Sequence, residues 1–437
     1  MRACSGNAQE LWRILQVYEN ASGQMVNRDK SAVLFSPNTS PIDKAEVRQA
    51  LNIAQEAKSE KYLGLPVSIG KSRKRAFEYI KKKVWIRIQG WQEKLLSKAG
   101  KEILIKAVAQ AIPTYAMSCF ELTKGLCDEL NSMIGRWWWS QNDKKNNIHW
   151  LAWDKLTLSK SNGGLGFRDL HLFNMAMLAR QAWRLLVCPD SLCAQVLKAK
   201  YFPNGSILQC EARDGISYTW RSILKGVNLL NEGIIWRIGN GESVDIWTDP
   251  WVPLGDTRRP ATYRGQTLLS KVAELIDPGS GSWDESLVQD IFSEFDANAI
   301  LKLRVNPDVE DRLAWHFDKK GLFSVKSAYK LAVQIRERTR GRDASGSGPG
   351  GHSIFRWDKI WSMEVPNKIK MFIWRLVHNT LAVKRNLLRR GLKDDPLCPM
   401  CHRFDEDSRH LFFKCHAVKE YWRELNLEEQ RQILATS

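Results

Sequence analysis

Apolar residues recur every three or four positions over much of this chain, and that spacing predicts a protein built mainly from helices. Leu11, Ile14, Leu15 and Tyr18 mark a first helix, followed by the turn-rich Ser22-Gly23 and Ser36-Pro37-Asn38. These first 55 residues read as the tail of a larger α/β unit, and KYLGLPVSIG, Lys61 to Gly70, has the content of a short strand. From Ser72 to Leu96 one helical face collects Phe77, Ile80, Val84, Ile88, Trp91 and Leu95, while basic residues fall mainly on the other faces. After Gly100 a second helix carries Leu104, Val108 and Ala111 and stops at Pro113, which cannot continue it. A third is marked by Leu126, Leu130, Met133 and Trp137. Asp169 stands where a carboxylate caps a helix start, ahead of Leu172, Leu178, Ala179, Ala182 and Leu186.

Farther on the pattern changes. WRIGNGESVDIWTDPW alternates like a strand around Asn240-Gly241, which predicts a local hairpin. Phe323 to Ala332 gives a short strand and a helix start, and RERTRGRDASGSGPGGHS, residues 336–353, has the Gly, Ser and Arg content of a flexible linker. Beyond it Ile369, Phe372, Ile373 and Leu376 form one helical face, and a shorter helix ends at Gly391. The expected fold is mainly α with short β hairpins (α+β). Its parts are residues 1–70, a helical region 71–200, a connector 201–335 with the Trp-rich hairpin, the linker 336–353 and a small domain 354–437.

Composition narrows the class. With 437 residues, 43% of them hydrophobic, the chain can bury several cores. Nine cysteines without a disulfide-like rhythm, and no N-terminal apolar run of signal or membrane-span length, point to a reducing intracellular compartment, nuclear or cytoplasmic, with no membrane partner. The net charge of +18 calls for a polyanionic partner. Lys71–Lys106 holds twelve basic and three acidic residues, net +9; Pro366–Arg390 holds seven basic and no acidic ones, net +7. Sixteen of the eighteen excess charges thus sit in two stripes, which are two candidate surfaces for nucleic-acid phosphates. Lys74, Lys81, Lys82 and Arg87 are the first choices in one, Lys368, Lys370, Arg389 and Arg390 in the other. Trp137, Trp138 and Trp139 point in three directions on a helix, so core packing is favoured over a base-stacking platform. Gly163-Gly164-Leu165-Gly166 lacks the Gly-Lys-Ser/Thr ending of a phosphate loop and reads as a turn. Asp245 and Asp249 read as turn chemistry.

The sharpest local chemistry lies near the end, where Cys398, Cys401, His410 and Cys415 form C-x2-C-x8-H-x4-C. Three thiols and an imidazole at this spacing can close a tetrahedral zinc site, with Cys-Pro-Met-Cys as a knuckle and Asp405 to Asp407 turning the chain back. Four protein ligands leave no place for a water, so one structural zinc ion is expected. His402 and His416 are lesser candidates.

Several phrases carry a family resemblance: SGQMVNRDKSAVLF, KYLGLPVSIG, GGLGFRDL with FNMAMLARQAWRLL, VLKAKYFP, WRIGNGESVDIWTDPW, and the block from Trp357 through PNKIKMFIWRL to HLFFKC. Together they resemble the reverse transcriptases of plant LINE-type (non-LTR) retrotransposons, from the end of the catalytic palm onward, including the reverse transcriptase zinc-binding domain. The resemblance implies a palm remnant in residues 1–70, a thumb-like helical region that grips the template-primer backbone, a connector and a zinc domain.

That family is one of RNA-directed DNA polymerases, whose palm holds metal ions on an aromatic-x-Asp-Asp hairpin. The adjacent pair here, Asp394-Asp395, lies between a helix end and the zinc knuckle with no strand around it. No catalytic residue is therefore assigned. The expected function is a non-catalytic portion of a truncated element that binds zinc and RNA or DNA; a palm-bearing reverse transcriptase chain is a further expected partner. The competing reading is a decayed or domesticated interaction protein stabilised by zinc.

Overall fold

The computed structural model describes residues 3–36, 38–57, 61–66, 69–70, 72–92, 96–140, 148–343, 355–392 and 395–436. The fold is mainly α with two small antiparallel sheets, in line with the apolar spacing. The chain divides into a unit of residues 1–76 and a unit of residues 77–437.

In the first unit the Ser5–Ser22 and Pro41–Leu51 helices pack through Ala8, Val47 and Leu51, with Trp12, Val33 and Phe35 around them. The Ser40 hydroxyl caps the second helix by accepting from the Asp43 amide at 3.1 Å. This core is small. Leu11, Ile14, Leu15 and Tyr18 lie on the helix that their spacing marks, with Ile14 and Tyr18 52% and 57% exposed. Strands β1 (Lys61–Tyr62) and β2 (Leu65–Pro66) close on Leu63 and Gly64 at φ 49 and 80, a two-residue turn that takes positive φ at both positions. KYLGLPVSIG is thus a tight hairpin where a single strand was expected; Val67 and Ser68 lie outside the described residues.

The Arg73–Gln92 helix leads into the second unit and buries Phe77, Ile80, Val84 and Ile88, the face that its spacing predicts. Trp91 packs on Trp137 at 4.9 Å, and Leu95 lies outside the described residues. The Lys98–Leu104 helix continues into a widened turn, Ile105–Ala109, that turns Ile105 and Ala109 inward. In the Lys124–Trp139 helix, capped by Thr123, all three terminal tryptophans are buried, so the run is core. Trp138 meets Phe167 edge-on at 5.3 Å.

At the centre the Leu170–Val187 helix packs on Tyr218–Asn231 and on Val325–Asp343. Asp169 caps the first of these, accepting from the amides of His171 and Leu172 at 3.0 and 3.1 Å. A side chain at Gly226 would place Cβ 2.4 Å from the Ala179 nitrogen and 2.4 Å from the Leu178 carbonyl carbon, so this helix crossing requires glycine. A second core gathers Val244, Ile246, Trp251, Val272 and Trp283.

Two expectations change here. The Asn240-Gly241 turn does not fold a local hairpin: β3 (Ile234–Arg237) pairs antiparallel with the distant β4 (Arg312–Trp315). The Asp311 carboxylate instead takes the amides of Gly239, Gly241 and Ser243 at 2.7, 3.0 and 2.9 Å, and Val244 and Ile246 leave for the second core. The Val325–Asp343 helix also runs through the first part of the stretch expected to be a linker, tied by Arg336, which reaches Asp169 at 2.6 Å; residues 344–353 lie outside the described residues. Asp245 and Asp249 do serve a turn, accepting from the amides of Trp247 and Asp245 at 2.9 and 2.8 Å. Among the described residues no helix is long and apolar enough to cross a membrane.

Candidate metal centre

The knuckle is a tight loop held by its own backbone. Cys398 donates its amide to the Phe404 carbonyl at 2.8 Å, His402 donates to the Cys398 carbonyl at 2.9 Å, and Leu397 bridges to Asp405. His402 takes φ 52 to close the turn. The acidic loop does more than reverse the chain. Glu406 accepts from the Lys384 amide at 3.0 Å, and Asp407 accepts from the His410 amide at 2.7 Å and from Arg385 Nη1 at 3.0 Å. Asp407 thereby caps the wide helical turn His410–Lys414 that presents His410, and Cys415 opens the His416–Glu424 helix.

These elements bring Cys398, Cys401, His410 and Cys415 together, their ligand atoms all within 4.8 Å of one another. Cys398 Sγ and Cys415 Sγ are 3.9 Å apart, and Cys401 Sγ is 3.3 Å from His410 Nε2. A tetrahedral zinc with bonds of about 2.3 Å to sulfur and about 2.0 Å to nitrogen requires separations of roughly 3.8 and 3.5 Å, so the donor set fits zinc. Cys398, His410 and Cys415 are buried, leaving Cys401 as the outermost donor. Amide donation from Arg403, helped by Phe404 and His410, brings the Cys401 thiol down to about 6, whereas burial and the neighbouring thiols push Cys415 up. His402 and His416 stand outside the cluster.

The surrounding domain is seated on the helical region by a device that the sequence did not announce. The Gly163 carbonyl accepts from Trp374 Nε1 at 2.8 Å and from His378 Nε2 at 2.6 Å. Burial holds His378 below the ordinary imidazole value, and because a carbonyl can only accept, Nε2 is the ring nitrogen that donates here. Trp357 stacks on His378 at 4.4 Å, and Lys160 lies 4.2 Å above the Trp361 ring. The expected turn at Gly163-Gly164 is therefore also a socket.

The basic candidates divide by environment. Lys74, Lys82, Arg87, Lys368, Arg389 and Arg390 are exposed. Lys81 is paired with Glu129 at 2.6 Å, and Lys370 donates to the Trp361 carbonyl at 3.0 Å, so these two have structural work. The two stripes also meet, because the Lys98–Leu104 helix packs on the Asn367–Val377 helix. Near that contact Lys98 donates to the Trp138 carbonyl and Lys101 to the carbonyls of Trp137 and Ser140 at 3.1 and 2.8 Å, satisfying the end of the Lys124–Trp139 helix. Burial, then the charges of Lys101 and Arg375, lowers the Lys98 amine to about 7. Asp395 pairs with Lys384 at 3.1 Å, while Asp394 lies outside the described residues.

Comparison with known proteins places residues 323–422 in the family described as zinc-binding in reverse transcriptase. That match starts upstream of residue 354 and takes in the Val325–Asp343 helix. The chain is 30% identical over 373 residues to an Arabidopsis thaliana protein named "Putative ribonuclease H protein At1g65750", covering 82% of this chain and 57% of that relative. It is 46% identical over 143 residues to "Uncharacterized mitochondrial protein AtMg00310" of the same plant, covering 32% of this chain and 93% of that relative. The chain thus spans just over half the length of the first relative and nearly all of the second.

Proposed function

This chain belongs to the plant proteins of reverse-transcriptase origin that carry the reverse transcriptase zinc-binding domain, and on that premise we propose that it is a non-catalytic nucleic-acid-binding part of a retrotransposon reverse transcriptase. One zinc ion, held by Cys398, Cys401, His410 and Cys415, fixes the fold of the last domain. The helical region acts as a thumb, and the ligand is the sugar-phosphate backbone of RNA or DNA. A palm-bearing reverse transcriptase chain is the partner that would supply chemistry.

The observation that carries this reading is the exposure of six cations: Lys74, Lys82, Arg87 and Lys368 on helices whose opposite faces are core, and Arg389 and Arg390 in the turn that follows the Lys384–Leu388 helix. Such cations release counterions when they meet phosphates, so affinity falls linearly on a log–log plot against salt, with a slope of roughly 0.9 per contact. Neutralising Lys74, Lys82 and Arg87 lowers that slope by up to about three contacts' worth, nearly equally for different sequences. Replacing Arg389 and Arg390 lowers it separately. Binding isotherms at several salt concentrations decide the matter; an unchanged slope in both variants makes the stripes solvated helix faces and nothing more.

The non-catalytic part of the proposal rests on residue content, since Asp395 is engaged by Lys384 and by the Leu397 amide at 2.9 Å. Primer extension with magnesium or manganese is expected to give no incorporation above a heat-killed control. Clear incorporation would overturn it.

A further inference from the structure

Of the 19 tryptophans in this chain, all among the described residues, 18 are buried or half-buried, and Trp85 is 47% exposed. It sits in the middle of the Arg73–Gln92 helix, which carries seven basic residues and one acidic residue, Glu78. Ile86 beside it is 67% exposed. Ile86 lies opposite the buried face of Phe77, Ile80, Val84 and Ile88, and Trp85 lies on its flank, three positions before Ile88, with nearly half its surface open.

Helical spacing sets what surrounds them. Lys82 lies three positions before Trp85 and four before Ile86, so it stands between the two side chains, and Lys83, three before Ile86 and four before Arg87, borders Ile86 on its far side together with Arg87. Lys82, Lys83 and Arg87 are exposed, and Lys83 rests 5.6 Å above the Tyr79 ring. An exposed flat ring beside positive charges matches a ligand that offers flat apolar faces beside negative charges. A nucleotide strand has that pairing, with bases set beside phosphates.

We propose that Trp85 is a stacking residue for an unpaired nucleobase, with Lys82 beside it and Arg87 farther round the helix taking phosphates of the same strand. This deepens the nucleic-acid reading above and rests on it. It assigns single-stranded template, as distinct from duplex, to this helix, and it gives the helix a contact that salt does not screen. An apolar protein partner would have no use for the flanking cations, and a second copy of this chain would bring like charges together.

The test uses the full chain and two labelled oligonucleotides, a 20-nucleotide oligothymidylate and a 20-base-pair duplex, measured by fluorescence anisotropy at two salt concentrations. Trp85→Ala is expected to weaken oligothymidylate binding roughly 5- to 150-fold, the range seen when one stacked aromatic is removed. Its salt slope stays at the parental value, because no cation is lost. Duplex binding stays within about twofold of the parent, and Trp85→Phe restores most of the single-strand affinity. Parental oligothymidylate affinity in Trp85→Ala, or an equal loss on the duplex, overturns the proposal. So does a sedimentation shift from dimer to monomer on substitution, which would mark a self-association face. If the parent binds neither oligonucleotide at low salt, the electrostatic reading falls first, a result distinct from a failure of Trp85 alone.

Discussion

Protein purified without chelator contains one zinc ion per chain, and stripping it opens the C-terminal domain to protease while the central helices resist. The reason is the size of what zinc holds. Cys398 and Cys415 are buried, and the turns that present the four donors are short, the longest regular piece between them being the five-residue turn His410–Lys414. Without the ion the loop keeps backbone bonds such as Cys398 to Phe404 and the Asp407 cap, but it has almost no apolar core of its own. Structural zinc in small domains supplies apparent binding free energies of about 10–16 kcal/mol near neutral pH, which is also folding free energy. The loss should therefore exceed that of any single side-chain contact in this domain. Cys398→Ser combined with Cys415→Ser should reproduce it and reduce zinc to background by elemental analysis. A full complement of zinc in that variant, or an unaltered proteolysis pattern after residue 355, would remove these residues from the ligand set. The Leu170–Val187 and Tyr218–Asn231 helices have a core independent of the metal and should stay folded.

Gly226→Ala is expected to destabilise the central helices by about 3 kcal/mol, at the upper end for added volume in a packed core. The added methyl meets main chain: its Cβ would lie 2.4 Å from the Ala179 nitrogen, 2.4 Å from the Leu178 carbonyl carbon and 2.7 Å from the Leu178 oxygen. Ordinary carbon contacts need about 3.5 Å or more, so the two helices must part by about 1 Å. Parting loosens Ile223, Val227 and Leu230 from Ala179 and Ala182, which spreads one methyl group over a whole interface. Trimming a neighbouring side chain cannot compensate, because the obstacle is backbone. Denaturant titration followed by circular dichroism measures the loss; a change below about 1 kcal/mol would mean that the helices cross farther apart than described here.

Much of this was legible beforehand where the information is local. The i, i+3, i+7 run Phe77, Ile80, Val84 faces the core, Asp169 caps the helix it precedes, and the four zinc donors converge as their spacing implied. What escaped depends on partners far along the chain. Asn240-Gly241 has the chemistry of a hairpin turn, yet Asp311 captures the amides around it and β4 takes the free edge of β3. RERTRGRD looks like linker by composition, but Arg336 finds Asp169 and the helix continues. Lys81 reads as a phosphate contact until Glu129 is seen beside it. Trp85 was hidden among the helix-spaced residues because exposure is a property of what packs against a helix, and α-helical periodicity gives a residue's face without saying whether that face is covered.

The Gly163 socket bears on how such proteins can be recombined. Gly163 sits at φ +82, where non-glycine residues are strained, and a Cβ there would come within 2.7 Å of the Trp357 ring. The two donors on its carbonyl, Trp374 and His378, belong to the zinc domain, whereas the carbonyl itself belongs to the turn ahead of the Leu170–Val187 helix. A zinc domain exchanged between relatives must accordingly travel with residues 158–167, and a graft joined in the 344–353 stretch alone would match a plug to a foreign socket.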